Sequence, residues 1–181
     1  MPVIVVSGPP GSGKTTQAKL VAEYYGLKYY SAGMIFRKIA RDRGVSLEEL
    51  SRIAAKDPSI DLEIDNKSLE IAKKGNVVID GHLTAWIVSE YADLRILVTA
   101  PLLTRIKRIA QRDKIPFSRA VKETINREYY QVIRFIEYYG IDPRETNVFD
   151  IIINTEQYTV EETFNIIKKA IDKILKAKNI R

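Results

Sequence analysis

The segment over residues 3–16 constrains the fold more than any other part of the chain. A short β-branched run, VIVV, leads directly into SGPPGSGKTT, and a helix-like pattern follows at once. Gly8, Gly13, Lys14 and Thr15 have the spacing of a phosphate-binding loop. In such a loop the backbone N–H groups turn inward around a phosphate, so glycines are needed where a Cβ atom would clash. The segment therefore predicts a strand, a phosphate-binding loop and a helix, in that order.

The polar groups of this segment have distinct expected roles in binding ATP. Lys14 is predicted to reach the β- and γ-phosphates, and the hydroxyl of Thr15 is predicted to ligate Mg²⁺. A helix that begins directly after the loop adds its N-terminal N–H groups to the anion site. The alternative interpretation is a glycine-rich turn that carries a surface lysine. The predicted ATP-binding residues are Gly8, Pro9, Pro10, Gly11, Ser12, Gly13, Lys14, Thr15 and Thr16.

The composition narrows the chemistry that the rest of the chain can support. The 181 residues suffice for one domain with a buried core. Cysteine is absent and His82 is the single histidine, so neither disulfides nor a zinc site is expected. No signal peptide or segment of transmembrane length is recognised, which predicts a cytoplasmic protein without a membrane partner. The net charge of +6 and the isoelectric point near 9.4 favour polyanions, either nucleic acid or small phosphorylated substrates.

Short apolar runs alternate with helix-like segments along the chain. A continuous apolar run is typical of a strand that is buried on both faces of a parallel sheet. We therefore predict an α/β fold with a five-stranded parallel sheet and helices on both faces, in a single domain over residues 1–181. The predicted strands are 3–6, 27–30, 77–80, 94–98 and 148–153, and the predicted helices are 14–25, 34–43, 47–56, 62–74, 101–112, 117–139 and 160–177.

Two helical insertions interrupt this alternation, one at residues 31–74 and one at residues 105–140. Ligands of an open α/β sheet bind beyond the carboxyl ends of the strands, so both insertions are expected to flank the phosphate-binding loop. The second insertion places Arg105, Arg108 and Arg112 at positions i, i+3 and i+7 of one helix. Such cations could close over the site, neutralise charge on a transferred phosphoryl group and exclude water. The alternative is a basic surface helix.

Two further features point to phosphoryl transfer. Asp80 ends an apolar strand, where a carboxylate can help to hold a Mg²⁺ ion, although an Asp-Gly pair also favours a simple turn. Arg127, Gln131 and Arg134 lie at i, i+4 and i+7 of the long predicted helix and therefore share one face, which suits either a phosphate or water. The same helix is predicted to carry a separate apolar stripe of Val121, Ile125, Val132, Ile136 and Tyr139.

At the level of motifs, the chain resembles the P-loop nucleoside monophosphate kinases. The loop GPPGSGKTTQA is similar to their adenylate-kinase-like loop, and SAGMIFR at residues 31–37 looks like the monophosphate-site motif of cytidylate kinases. IDGHL at residues 79–83 and the segment at residues 127–134 follow in the expected order. The resemblance covers nearly the whole chain and is nearest to the short archaeal type of cytidylate kinase.

This resemblance implies a kinase that uses ATP and Mg²⁺ to phosphorylate CMP and dCMP, acting as a monomer and without nucleic acid. Arg37 and Arg127 would contact the acceptor phosphate, and Arg134 would lie near the sugar or that phosphate. Asp61 and Asp65 would face the base, where either carboxylate could accept from the exocyclic amine of cytosine. The implied substrate-binding residues are Ser31, Arg37, Asp61, Asp65, Gly81, His82, Arg127, Gln131 and Arg134; the implied catalytic residues are Lys14, Arg108, Arg112 and Arg127; and the implied metal-site residues are Thr15 and Asp80.

The chain departs from the family pattern at two of these positions. His82 stands where the family often has arginine, and a neutral imidazole makes a weaker phosphate contact than a bidentate guanidinium. It can still donate a hydrogen bond, or acquire charge beside a phosphate. Gln131 stands where bacterial relatives carry an acid that serves the ribose. The large acceptor-site insertion of the bacterial enzymes is also missing.

Two other functions compete with cytidylate kinase. The first is another small-molecule kinase on the same fold, such as an adenylate or uridylate kinase. An adenylate kinase normally shows Asp-Gly-Phe-Pro-Arg where this chain has DGHLT at residues 80–84. The second is a nucleotide-dependent RNA-binding module, which the basic charge would suit. The chain lacks an aromatic RNA-stacking signature, and NKSL at residues 66–69 lacks the aspartate of a guanine motif.

Overall fold

The computed structural model describes residues 2–177 and places a five-stranded parallel sheet at the centre of the molecule. The strand order is β2-β3-β1-β4-β5, so the first strand lies in the middle and the second half of the chain extends the other edge. All four strand pairings are parallel, which confirms the predicted α/β fold. The strands are β1 (Val3–Ser7), β2 (Lys28–Ser31), β3 (Val77–Asp80), β4 (Leu94–Thr99) and β5 (Ile151–Asn154).

The helices follow the predicted order, with one addition. A short helix after β3 was not predicted, because its four residues are too few to show a helical period. No helix within residues 2–177 is both long and apolar enough to cross a bilayer. The helices are α1 (Lys14–Tyr25), α2 (Ala32–Asp42), α3 (Leu47–Ala54), α4 (Ser59–Lys74), α5 (Thr84–Ile87), α6 (Leu102–Asp113), α7 (Phe117–Tyr139) and α8 (Val160–Ala177).

Alternate residues of β1 fill two separate hydrophobic clusters, one on each face of the sheet. Ile4 and Val6 pack in the cluster formed with α1 and α8, whereas Val3 and Val5 pack in the cluster formed with α4 and α5. All five residues of the strand are buried. Burial on both faces explains why the strand is a continuous apolar run, and it fixes the position at which the phosphate-binding loop leaves the sheet.

Helix caps set the loops around the sheet. The side chain of Ser31 accepts a hydrogen bond from the Met34 backbone N–H and so starts α2, as predicted. Thr159 and Glu162 form a reciprocal capping box at the start of α8. Gly26 ends α1 with a φ of 64°, in the left-handed region that favours glycine. Local sequence therefore determines where these elements begin and end.

The first insertion has a hydrophobic cluster of its own. Helices α2, α3 and α4 enclose Phe36, Ala40, Leu50, Ile60 and Ile64, apart from the two clusters against the sheet. Such a separate core gives the insertion an internal cohesion that does not depend on the sheet. The insertion is thus built as a small unit that stands beside the carboxyl ends of β1 and β3.

The predicted apolar stripe of α7 is buried only in part: Val121 packs against the cluster that contains Ile106 and Ala120. Ile125 and Ile136 are 48% and 45% exposed, whereas Gln131 and Arg134 are only 6% and 2% exposed. The helix turns its polar face inward because that face borders the cleft at the carboxyl edge of the sheet, and there the buried polar groups meet other polar groups. The predicted β5 also began too early: Val148 and Phe149 pack against the core before the strand begins at Ile151.

Candidate active site at the carboxyl edge of the sheet

The phosphate-binding loop connects β1 to α1 and has the glycines that its geometry requires. A Cβ atom on Gly8 would collide with the carbonyl oxygen of Val98, and one on Gly11 would lie 2.6 Å from the carbonyl oxygen of Arg105. Neither position has space for a side chain, because the loop passes between β4 and α6. The predicted glycine requirement is therefore confirmed by the packing of the loop.

Carbonyl groups of the loop are held by α6 and by the end of β5. Arg105 donates to the Pro10 carbonyl oxygen over 3.0 Å. The hydroxyl of Thr155 donates to the Ser12 carbonyl oxygen over 2.9 Å. Arg108 donates to the Thr155 carbonyl and hydroxyl oxygens over 2.9 and 2.8 Å. Charge-assisted hydrogen bonds of this kind are stronger than neutral ones, so the loop is braced before any nucleotide binds.

Two adjoining clefts contain almost every predicted site residue. The larger has a volume of about 680 Å³ and is lined by Pro10 to Thr16 of the loop and by Arg108 and Arg112. The smaller has a volume of about 80 Å³ and opens on the other side of Lys14. Of the predicted residues only Gly8 and Pro9 line neither cleft. The smaller cleft contains Ser31, Arg37, Asp61, Asp65, Asp80, Gly81, His82, Arg127, Gln131 and Arg134.

Four cations converge where the two clefts meet. Burial lowers the pKa of Lys14 from 10.5 to about 8, an effect that Asp80 opposes and that Arg127, Arg37 and Arg112 increase. Burial also lowers the pKa of Arg127 to about 10, and the arginines Arg37, Arg134 and Arg112 lower it further. The Nε atom of Arg127 has no hydrogen-bond partner within residues 2–177. Like charges that converge at one place, with an unused buried donor on Arg127, make an electrostatic environment that favours a bound anion.

Thr15 and Asp80 meet beside Lys14, as the predicted metal site requires. The Thr15 hydroxyl donates to Asp80 Oδ2 over 2.7 Å. The hydroxyls of Tyr29 and Ser31 donate to the same oxygen over 2.9 and 3.3 Å. The other oxygen, Oδ1, is buried and has no partner among the described residues. An orphaned carboxylate oxygen next to a threonine hydroxyl suits the hydrated Mg²⁺ ion of a nucleotide complex, so these residues fit the metal.

His82 lies at the base of the smaller cleft and is neutral in the free protein. Burial lowers its pKa from 6.5 to about 3, and the nearby Lys14 lowers it further. Its Nδ1 atom lies 3.3 Å from Gln131 Oε1, and its ring packs edge-on against Phe135. The two departures from the family pattern are therefore in contact with each other. The sequence left open whether His82 is neutral or charged. A charged His82 would require an anion to be bound beside it.

The two acids predicted to face the base have different partners. Asp61 Oδ2 lies 2.9 Å from Arg134 Nε, and both side chains are almost fully buried. Asp65 instead accepts a hydrogen bond from the hydroxyl of Tyr139. Burial raises the pKa of both carboxyl groups, that of Asp65 to about 6. Asp61 thus neutralises an arginine of the cleft, and Asp65 is the acid whose charge no buried cation balances directly.

Arg134 is fixed between two aromatic rings. Its guanidinium carbon lies 5.2 Å from the ring centres of both Phe36 and Phe135, a cation–π arrangement on each side. The Nη1 atom is buried and has no hydrogen-bond partner within residues 2–177. The arginine is therefore held between α2 and α7, with its Nη1 group left to donate to a ligand.

The three arginines of α6 have separate roles in the structure. Arg105 is buried and binds Pro10, Ala100 and Glu128, and Arg108 is tied to Thr155. Only Arg112 keeps a largely exposed side chain, paired with its neighbour Asp113. A lid that moves as a whole helix would have to break the buried contacts of Arg105, so only the C-terminal part of α6 is free of them.

Sequence reasoning missed three residues that complete this region: Tyr29, Glu128 and Thr155. Tyr29 lies two residues before Ser31, and the period of a strand puts both side chains on one face. This spacing is visible in the sequence, but it does not by itself predict a functional role for Tyr29. Thr155 directly follows β5 and so stands at the same edge of the sheet as the loop. No sequence pattern identifies Glu128, because its partner Arg105 is on another helix.

Solved structures with the same architecture include shikimate kinases. A shikimate kinase from Bacteroides thetaiotaomicron matches 94% of this chain and 98% of its own with a TM-score of 0.62 and 14% identity. An uncharacterized protein from Eubacterium ventriosum matches with a TM-score of 0.72 and 21% identity, over 95% of this chain and 99% of its own. At such identities the likeness concerns the fold alone. The sheet order and the phosphate-binding loop define a P-loop kinase fold.

Sequence relatives then narrow this class. Residues 3–157 match the family described as the cytidylate kinase-like family. A cytidylate kinase from Staphylothermus marinus is 67% identical over 97% of this chain and 99% of its own length, and one from Aeropyrum pernix is 53% identical over 90% and 95%. The chain belongs to the cytidylate kinase-like family. The resemblance seen in the sequence is thereby confirmed, including its archaeal type.

Proposed function

We propose that the protein transfers the γ-phosphoryl group of ATP to CMP, producing ADP and CDP, and that dCMP serves as a second acceptor. The observation that carries this proposal is the 67% identity, over nearly the full length, to an archaeal cytidylate kinase. The adjoining clefts on either side of Lys14 support it, because phosphoryl transfer needs a donor site and an acceptor site that share one set of cations.

The larger cleft is proposed as the ATP site. The loop from Gly8 to Thr16 would surround the β-phosphate, with Lys14 on the β- and γ-phosphates and Arg108 and Arg112 at the transferred group. Thr15 and Asp80 would hold Mg²⁺, which when bound neutralises charge on the β- and γ-oxygens. The residue contacts that support this arrangement are the Thr15–Asp80 hydrogen bond and the unpartnered Asp80 oxygen.

The smaller cleft is proposed as the CMP site. Arg37 and Arg127 would bind the acceptor phosphate, whose oxygen is already an anionic nucleophile, so catalysis needs positioning and charge neutralisation rather than a general base. Ser31, Gly81, His82, Gln131 and Arg134 would line the sugar and phosphate. Asp65 would accept from the exocyclic amine of the base, since Asp61 is engaged with Arg134.

The proposed arrangement has one domain over residues 1–181, with residues 31–74 as the acceptor-binding insertion and residues 105–140 as lid and acceptor-site helices. We propose a cytoplasmic protein, because ATP and CMP are cytoplasmic metabolites, and a monomer, as the resemblance to compact kinases of this family implies.

A coupled assay of ADP release tests the proposal, with ATP, Mg²⁺ and a panel of CMP, dCMP, UMP, AMP, GMP and dTMP. Preference for CMP and dCMP is the expected result. Turnover of AMP or UMP instead would keep the fold and the chemistry but reject the acceptor assignment. No turnover, together with salt-sensitive retention of RNA, would favour a nucleotide-dependent RNA-binding module.

The Lys14→Ala variant tests the donor site. Because Lys14 lines both clefts and is the proposed contact of the transferred phosphoryl group, we expect kcat to fall by about a hundredfold or more. Lys107→Ala, which removes an exposed lysine of α6, is the matched control and should retain wild-type turnover. A folded Lys14→Ala protein that remained active would contradict the assignment of the loop.

A further inference from the structure

Tyr29 contacts the proposed metal site without belonging to the residues that would bind metal or nucleotide. It lies on β2, next to β3, and its hydroxyl is 2.9 Å from Asp80 Oδ2. Ser31 is on the same face of the strand and donates to the same oxygen over 3.3 Å. The tyrosine ring is partly buried, with the ammonium group of Lys19 5.8 Å from its centre.

The three hydroxyls on Asp80 Oδ2 are not equivalent. Thr15 is the proposed ligand of Mg²⁺, so removing its hydroxyl would remove a ligand as well as a donor to Asp80. Ser31 also accepts a hydrogen bond from the Met34 N–H as the cap of α2, and its contact with Asp80 is the longest of the three. Tyr29 is neither a proposed ligand of the metal nor a helix cap. Its hydroxyl is therefore the one of the three whose contact with Asp80 can be removed without removing a proposed ligand or a cap.

The direction of this hydrogen bond decides which carboxylate oxygen faces the metal. A carboxylate that is free to rotate exchanges its two oxygens, whereas a donor fixed on Oδ2 leaves Oδ1 as the available acceptor. Oδ1 is indeed the buried, unpartnered oxygen of Asp80. Burial and the neighbouring Asp80 raise the pKa of Tyr29 to about 12, so the phenol stays protonated as a donor at neutral pH.

We propose that Tyr29 is a positioning residue for Mg²⁺: its hydroxyl fixes the orientation of the Asp80 carboxylate so that Oδ1 is available to the metal or its bound water. This inference rests on the metal role that is proposed above for Thr15 and Asp80. Groups that orient a metal-binding side chain contribute strongly to metal affinity even though they do not touch the ion.

The test compares Tyr29→Phe with Tyr30→Phe. Tyr30 is the next residue of the same strand, and its buried hydroxyl has no hydrogen-bond partner among residues 2–177, so this control removes the same atom from the other face of β2. The probe is Mn²⁺ in the presence of ADP, followed by electron paramagnetic resonance. Thermal unfolding of both variants shows that each is folded.

We expect Tyr29→Phe to raise the Kd for Mn²⁺ in the presence of ADP by about tenfold, and Tyr30→Phe to leave it unchanged. In the assay of CMP phosphorylation, the Mg²⁺ concentration for half-maximal rate should rise by a similar factor, while kcat at saturating Mg²⁺ and the KM for CMP stay near wild type. Excess metal thus rescues the variant, which a general structural defect would not allow.

Three results would overturn the proposal in distinguishable ways. A wild-type Kd in Tyr29→Phe would show that Asp80 is oriented without the phenol. An equal loss in both variants would assign the effect to strand β2 as a whole. Failure of the wild-type protein to bind Mn²⁺ with ADP would instead reject the metal site of Thr15 and Asp80 itself, and the role of Tyr29 with it.

Discussion

At the scale of single residues, His82 has a pKa far below that of a free imidazole. Its imidazole is buried beside the cationic cluster, and its pKa is lowered to about 3. The folded state therefore binds fewer protons than the unfolded state between about pH 3 and pH 6.5. Stability then increases with pH across this window and is lost as pH falls through it. Asp65, whose pKa is raised to about 6, acts in the opposite direction because its folded form holds a proton longer.

The pH dependence of unfolding in His82→Asn isolates this residue. Removal of one titrating imidazole reduces the slope of unfolding free energy against pH by at most about 1.4 kcal/mol per pH unit between pH 6.5 and pH 4. Urea unfolding at several pH values measures the slope, and it is informative even if the variant is less stable overall. An unchanged slope would mean that His82 is charged in the folded protein.

At this scale the sequence predicted residues that line the two candidate clefts but not their partners. Lys14, Thr15 and Asp80 were found because their spacing along the chain reflects the chemistry of a nucleotide phosphate. The contact of Asp61 with Arg134 could not be predicted, since it joins α4 to α7 and depends on how the insertion packs. Without that contact the two acids Asp61 and Asp65 were equivalent candidates for the base.

At the scale of secondary structure, α6 and α7 are joined to the phosphate-binding loop through one buried ion pair. Arg105 binds both the Pro10 carbonyl and the carboxylate of Glu128, the residue next to Arg127. These contacts link the donor loop to the helix that carries the acceptor-site arginine. The pair is a physical connection between the two proposed nucleotide sites.

Glu128→Gln tests this connection. Loss of the charge is expected to raise the KM for both ATP and CMP by roughly tenfold, equivalent to about 1.4 kcal/mol, because Arg105 and Arg127 lose the same anion. Glu123→Gln on the same helix is the matched control: its partner Arg119 is exposed, so the constants should not change. If Glu128→Gln and Glu123→Gln gave the same KM values, the ion pair of Arg105 and Glu128 would have no role in nucleotide binding.

Element boundaries were predictable wherever a cap or a buried strand marks them. α1 and α7 have the predicted limits, and β3 does as well. The orientation of α7 was not predictable from its period, because two faces each show helical spacing. The apolar spacing of Ile125 and Ile136 is real, but the cleft determines that Gln131 and Arg134 face inward. A functional requirement has here overridden the ordinary preference for apolar burial.

At the scale of the whole molecule, the two clefts differ in volume and therefore in the space that they offer to a nucleotide. The larger, at about 680 Å³, is within the usual range for ligand pockets, whereas the smaller, at about 80 Å³, is below it. An acceptor nucleotide therefore needs the α2–α4 insertion to move away from α7. The separate hydrophobic cluster of that insertion allows it to move as one body.

Hydrogen–deuterium exchange measures this motion. We expect CMP to slow exchange in α2, α4 and the middle of α7 together, because the nucleotide joins the insertion to α7, and to leave β1 and β4 unchanged. ATP analogues alone should protect the phosphate-binding loop and α6 instead. Protection confined to isolated residues, without a common change across α2–α4, would argue against movement of the insertion as one body.

The cluster of Lys14, Arg37, Arg112 and Arg127 has a consequence for how the protein is handled. Like charges held close together repel one another in the ligand-free state, and a bound phosphate group relieves this repulsion. The phosphate of a bound substrate thus supplies the negative charge that this cluster lacks in the free protein. A buffer of phosphate or sulfate ions would then act as a ligand rather than as a neutral medium, so stabilities and affinities measured in such buffers would contain a contribution from the buffer itself.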